Sequence, residues 1–370
     1  MDVEHAVASP ASERSREDLL TWYTDNLART IKERGYKLVD EESQPDEGGI
    51  VLHPIDLDAP RSTRRRNRAI FVAGIGVGDE VADIPLKTGY PLLLKSLANL
   101  FMLLIPNGPG GKLTVYFFTL EQGFYTVPYE GDDDLFFNSI VDRVAPLATS
   151  NLIIENDFVP DLPESLWKGD EVTASITRAG KRLDALDLLP SPFPLDEYLT
   201  PQQLRHVKQM FQMGGLSYGN VSARKDSHTF WMSASGVDKS KLEDVGTEVL
   251  LVTDYLPDRK AMRLSVPPNV TPKRVSVDAI EHWMIYREHP EVGAILHIHA
   301  WMPNINSTHI NYPCGTCELA ETVADLVRKA PDPGHAVIGL KNHGLTITGE
   351  SLDEIFDRIE GNVLRQVPMS

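Results

Sequence analysis

The segment Val292-Gly293-Ala294-Ile295-Leu296-His297-Ile298-His299-Ala300 constrains the fold more than any other stretch of this chain. Its apolar, β-branched run reads as a buried strand that ends in two histidines. Residues two apart on a strand share a face, so His297 and His299 can aim their rings at one point. Two imidazoles converging at a strand end are half of a zinc site, which in catalytic form has three protein ligands and an open position. A third candidate, His343, follows 44 residues after His299, in Lys341-Asn342-His343-Gly344 between two strand-like runs. The alternative is a pair of core histidines satisfied by hydrogen bonds, because so short a motif is weak.

The surroundings add to the pair. Asp278 to Pro290 reads as a helix with its acidic group at the start, Ser276 as its cap, and Ile280, Met284 and Ile285 as an apolar stripe. Upstream, Gly219-Asn220-Val221-Ser222-Ala223-Arg224 leads into Thr229-Phe230-Trp231-Met232-Ser233 and then Ala234-Ser235-Gly236. This reads as an antiparallel strand pair with polar, glycine-bearing corners whose backbone can approach an anion. Each corner alone reads first as an ordinary turn.

Taken in order with the histidines, these elements resemble the class II aldolase/adducin superfamily. The resemblance runs from about Leu199 to the C-terminus and includes Cys314-Gly315-Thr316-Cys317-Glu318-Leu319-Ala320-Glu321 and the Asn342-His343-Gly344 hairpin. It implies a three-layer α/β/α domain around a central, mainly antiparallel sheet. It further implies that His297, His299 and His343 bind a divalent metal, zinc in the first place, with iron or manganese as alternatives. Asp278 falls where the aldolases carry a glutamate base, and an aspartate there looks like the L-ribulose-5-phosphate 4-epimerase branch. Read without the resemblance, Asp278 is a helix-capping carboxylate. Gly219, Asn220, Ser235, Gly236 and Ser276 match positions that hold the substrate phosphate in the sugar-phosphate members.

The reaction so implied is that of a class II aldolase-like lyase, cleaving or forming a C–C bond in a small hydroxy-carbonyl compound through a metal-stabilised enediolate. Alternatives on the same site are a sugar 4-epimerase and a non-haem iron oxygenase; a third is a non-catalytic, adducin-like interaction module. Adducin-type domains have lost metal histidines, whereas this chain keeps three. There are departures from the family pattern. Val277 stands where a second phosphate-binding hydroxyl is expected, and only 15 residues separate His299 from Gly315. The shortened segment is where the sugar aldolases carry a tyrosine that reaches a neighbouring site. The chain stops 27 residues after His343, before the segment that helps close the site in relatives. A homo-oligomer is implied, with part of its interface lost.

The formal net charge of −17 argues against nucleic acid as a partner, which needs a basic surface. The basic cluster Arg61 to Arg68 reads as a solvated loop. The N-terminus is acidic and polar, unlike a signal peptide, and the longest apolar run, Tyr90 to Pro106, contains Lys95, Ser96 and Asn99. No membrane association is expected, and two cysteines in 370 residues fit a reducing compartment, so a cytoplasmic location is expected. Cys314 and Cys317 have the spacing of a redox or zinc pair, but sit within the turn that carries the resemblance. His282 and His289 read as surface or packing histidines.

Three regions are expected: an α/β or α+β domain over 1–160, a proline-rich connection over 161–200, and the metal-binding domain over 201–370. In the first, residues 1 to about 15 should fray. Helices are expected at Leu19 to Tyr36, Tyr90 to Leu104 and Asp133 to Ala148, strands at Ala69 to Val77 and Leu152 to Ile154, and a hairpin at Leu113 to Leu120 and Gly123 to Pro128. Gly74-Ile75-Gly76-Val77-Gly78 and Asn107 to Lys112 resemble phosphate loops but lack the required spacing, and read as turns. A short strand pair is expected around Val172 to Ile176. In the last region, helices are expected at Pro201 to Met213, from Glu318 to Lys329 and at Leu352 to Leu364.

Overall fold

A computed structural model describes residues 14–39, 49–62, 70–191, 193, 195–205 and 218–370. The expected frayed start up to residue 13, the arginine cluster beyond residue 62 and the helix beyond residue 205 lie outside the described residues; 201–205 are helical. Two compact units emerge, 1–149 with 195–207 and 369–370, and 150–194 with 208–368.

The smaller unit is built on a five-stranded sheet in sequence order: β1 (Gly49–Pro54), β2 (Ile70–Val77), β3 (Leu100–Ile105), β4 (Thr114–Thr119) and β5 (Gly123–Pro128). The first three run parallel, and β4 and β5 form the antiparallel hairpin the sequence predicts. The Arg16–Glu33 helix is capped by Ser15 and buries Leu19, Tyr23, Leu27 and Ile31 at helical spacing. The Asp133–Thr149 helix shares that core through Phe137, Ile140 and Val144.

Tyr90 to Leu104 is not one helix. The helix spans Pro85–Ser96 and ends at Leu97 in a left-handed conformation; Asn99 then accepts from the Val72 N–H, and β3 begins at Leu100. All six residues of β3 are buried, so the run shows no alternation by which a strand could be told from a buried helix. The glycine run from Gly74 continues β2 rather than forming a turn, and Pro109–Gly111 turns between two strands.

The larger unit holds a nine-stranded sheet, ordered β12-β13-β14-β11-β7-β8-β9-β10-β6. Its strands are β6 (Glu155–Val159), β7 (Asn220–Arg224), β8 (Phe230–Ser233), β9 (Val249–Leu256), β10 (Ala261–Ser265), β11 (Ala294–Ile298), β12 (Asn306–Ser307), β13 (Val337–Leu340) and β14 (Gly344–Gly349). Pairing is antiparallel except for β12 with β13 and β10 with β6. The helices Ala279–Glu288 and Cys317–Arg328 pack together, as do Glu171–Ala185 and Leu352–Ile359. Thr346 on β14 bonds Glu281 of the first pair, while Gly349, of opposite strand parity, lies against Ile355 of the second. The helix pairs therefore cover opposite faces, which makes three layers.

Several boundaries differ from expectation. Leu152 to Ile154 forms no strand, and Leu152 makes only a bridge to Thr316; the strand is β6, which extends the large sheet's edge. Residues 150–194, most of the expected connection, belong to the larger unit. The expected strand pair around Val172 is the Glu171–Ala185 helix. Asp170 caps it in a box with Thr173, and Thr173, Ile176, Ala179, Gly180 and Leu183 form its buried stripe. The last helix ends at Ile359, short of Leu364, whose backbone instead pairs with that of Trp301. Among the described residues, no helix is long and apolar enough to cross a membrane.

Candidate metal centre

β11 is a central strand of the nine-stranded sheet, and its register builds the site. His297 stands opposite Asn220 on β7 and Thr346 on β14, so these three side chains share one face. His299 lies just beyond the strand, two residues on. β13 and β14 form a hairpin whose turn carries His343 back to the same end of β11. Gly219 sits just before β7 with φ +71°, and a Cβ there would lie 2.5 Å from the His297 carbonyl oxygen. Its bare backbone lets β7 start against the end of β11.

The ligating atoms of His297, His299 and His343 all lie within 4.8 Å of one another. The Nε2 atoms of His297 and His343 are 3.1 Å apart. The Nδ1 of His297 is 3.0 Å from the Leu345 carbonyl, which can only accept, so Nδ1 carries the proton and Nε2 presents its lone pair. Burial pushes the His297 imidazole down to about 4 and His299 well below its ordinary value. Neutral rings are what metal ligation requires. Two nitrogens on one tetrahedral zinc are separated by about 3.3 Å, given bonds of about 2.0–2.1 Å. The residues present thus fit a divalent ion.

Asp278 is 6% exposed and occupies the N-cap position of the Ala279–Glu288 helix, yet its side chain makes no capping bond. Nor does Ser276 cap this helix; its carbonyl accepts from the Ala279 N–H in the preceding turn. The Asp278 carboxylate instead accepts from the Asn220 amide at 2.7 Å, from the Cys314 thiol and from the Gly315 N–H. Burial raises its pKa, opposed by His343 and by these three donors. The Asn220 amide, expected at an anion, is therefore engaged with Asp278. Ser235 and Ser276 lie on adjoining segments, since Ala234 bridges Val275 and the Ser235 N–H donates to the Arg274 carbonyl. Gly236 is the exposed corner beside them.

Two buried groups escaped the sequence reading, and a third, half-buried one was read only as part of a turn. Glu281, 2% exposed, accepts from Thr346 Oγ1 at 2.5 Å, and burial with the nearby Asp278 charge raises it to about 8. Of the two carboxyls, Glu281 is the one held neutral, because Asp278 has more donors favouring its anion. Its position three residues after Asp278 on a helix was a legible signal. Lys239, 3% exposed, is pushed down to about 8 by burial while the Asp278 charge pulls the other way. A lysine in a polar turn carries no such signal. Cys314 is the third: its Sγ is 2.9 Å from His343 Nε2. Cys317 is not its partner at the site; its Sγ lies 3.5 Å from Glu321 Oε1. His282 is a packing residue, with Nδ1 2.8 Å from Ser222 Oγ and burial pushing it down to about 3. His289 is also buried, at the helix end, beside Glu291.

Residues 204–307 match the family model described as the class II aldolase and adducin N-terminal domain. A methylthioribulose-1-phosphate dehydratase from Microcystis aeruginosa is 30% identical over 103 residues, 27% of this chain and 46% of the relative. Its counterpart from Cronobacter sakazakii is 31% identical over 83 residues, 22% of this chain and 36% of the relative. The chain thus spans less than half the length of these curated relatives. Among solved structures, l-fuculose-1-phosphate aldolase from Thermus thermophilus is 19% identical with a TM-score of 0.30, covering 50% of this chain and 86% of that one.

Proposed function

From the premise that residues 204–307 form a domain of the class II aldolase and adducin superfamily, we propose that the larger unit is a divalent-metal lyase centre. It cleaves or forms a C–C bond in a small hydroxy-carbonyl compound. The observation that carries this reading is the buried carboxylate of Asp278 beside three converging imidazoles. His297, His299 and His343 would hold the ion, zinc in the first place and iron or manganese otherwise. When bound, it supplies Lewis-acid polarisation of a substrate carbonyl.

Asp278 takes and returns the proton at the substrate. Asn220 and the Gly315 N–H fix the orientation of its carboxylate, and the buried Lys239 favours its charged form. Neutral Glu281 adds no second negative charge. Gly219, Ser235, Gly236 and Ser276 form the rim for an anionic substrate group, with the Asn220 side chain serving Asp278 instead. Val277 leaves that rim one hydroxyl short. A hydrogen bond to a charged group is worth about 1.5–3 kcal/mol, so phosphorylated substrates should hold little advantage over free ones.

A second reading, loss of water next to a carbonyl, is supported by the name of the curated relatives, methylthioribulose-1-phosphate dehydratase. The same proton removal serves both. The test is to reload the metal-free chain with zinc, iron or manganese and to screen hydroxy-carbonyl compounds, free and phosphorylated. Aldehyde fragments support C–C cleavage, and a dehydrated product supports the second reading. No turnover with any metal, on a protein that binds none stoichiometrically, would leave the adducin-like module.

A further inference from the structure

Cys314 reaches the ligating side of His343. Its Sγ is 2.9 Å from Nε2 and 3.6 Å from Nδ1, so the sulfur faces the nitrogen that also meets His297. The residues around it are held firmly. Thr316 Oγ1 donates to the Pro313 carbonyl at 2.8 Å and accepts from the Leu319 N–H, capping the Cys317–Arg328 helix. The Gly315 carbonyl accepts from the Ile153 N–H at 2.7 Å, and the Cys317 N–H donates to the Asn151 carbonyl at 2.9 Å. Gly315 has φ +72°, and a Cβ there would sit 2.8 Å from the Val277 Cβ. That close approach brings the Cys314 side chain to the end of the sheet where the histidines converge.

We propose that Cys314 is a fourth protein ligand of the ion, its thiolate occupying the position that a substrate oxygen must take. This rests on the three-histidine reading of the centre. A tetrahedral zinc with Zn–N of about 2.0–2.1 Å and Zn–S of about 2.3 Å separates sulfur from nitrogen by about 3.6 Å. Outward movement of the thiol by several tenths of an ångström reaches that separation from His343 Nε2, and binding gives up the thiol's bond to Asp278. On binding, the S–H bond breaks, a sulfur–metal bond forms and the proton leaves to solvent, with no change of oxidation state. Four protein ligands make a closed site, and three make an open one. The thiolate also cancels one of the ion's two positive charges, weakening it as a Lewis acid until a substrate displaces the sulfur. Soft thiolate ligation further favours zinc over hard-ligand ions such as magnesium or manganese.

The test uses cobalt(II) alone as the probe, loaded one-to-one into the metal-free full chain, with absorption spectra read beside elemental analysis. Wild type and Cys317→Ser should show the near-ultraviolet thiolate-to-cobalt charge-transfer band. Cys314→Ser should bind one cobalt and lose that band. Wild type that binds one cobalt without the band overturns the proposal, as does retention of the band in Cys314→Ser. Cys314→Ala and circular dichroism guard against a misfolded serine variant, and the wild-type spectrum decides without either. Wild type that binds no stoichiometric cobalt instead overturns the three-histidine centre itself, so the two failures are distinguishable.

Discussion

The two faces of the nine-stranded sheet are made by the same strands and do different work. On one face Val221, Leu296 and Ile347 stand side by side on β7, β11 and β14, all buried, under the Glu171–Ala185 and Leu352–Ile359 helices. On the other, Asn220, His297 and Thr346 stand side by side under the Ala279–Glu288 helix, also buried. The first face stabilises by removing apolar surface from water. The second spends stability on buried polar groups, which are tolerable where they are hydrogen-bonded or kept neutral. Because side chains alternate along a strand, the chain can carry chemistry on one face without loosening the other.

If the faces are separable in this way, substitutions on them should have different signatures. The largest effect is expected for His299→Ala in the Cys314→Ser background, which should abolish stoichiometric metal binding while the circular dichroism spectrum stays native. Full zinc, iron or manganese occupancy in that variant would remove the assignment. Next, Asp278→Asn should lower turnover by roughly 10²–10⁴-fold, the span of general acid–base catalysis, with fold and most metal kept. Unchanged activity with unchanged metal content would make Asp278 structural.

On the apolar face, Leu296→Ala should cost about 2–5 kcal/mol in urea denaturation, with metal per folded chain unchanged. A specific loss of metal there would mean that the faces are coupled. The smallest effect concerns Glu281, whose pKa of about 8 in the folded protein lies above its ordinary 4.5. Its contribution to stability is then full below about pH 4.5 and is lost as pH rises through about 8. In metal-free protein, the urea midpoint of wild type should fall over that window relative to Glu281→Gln. Parallel profiles would show an ionised, compensated Glu281.

The faces were also unequally legible. Amphipathic stripes such as Leu19, Tyr23, Leu27 and Ile31, and the β4–β5 hairpin, lie where local periodicity puts them. The run from Tyr90 misled because it passes from a helix into a fully buried strand, and neither half alternates with polar residues. The stretch around Val172 misled because prolines and charges nearby masked a capping box at Asp170. At the centre, the His297 and His299 spacing was readable. Cys314 was read with Cys317 only as part of the turn that carries the resemblance, and the fold sends the two sulfurs to different neighbours.

What the sequence determined by itself is what a single element or the order of elements encodes: the strand period that aligns His297 with His299, the acid at the start of the helix, and the succession of motifs that resembles the superfamily. Tertiary structure alone decided which distant groups join them. Sheet register set Asn220 and Thr346 beside His297, a hairpin turn brought in His343, and a clamped turn turned the Cys314 sulfur toward it. Burial likewise converted Glu281 and Lys239 from apparent surface charges into perturbed groups near Asp278. The physical reason is that periodicity and capping act over a few residues. Burial and proximity depend on segments tens of residues apart, and a linear pattern carries no record of their pairing.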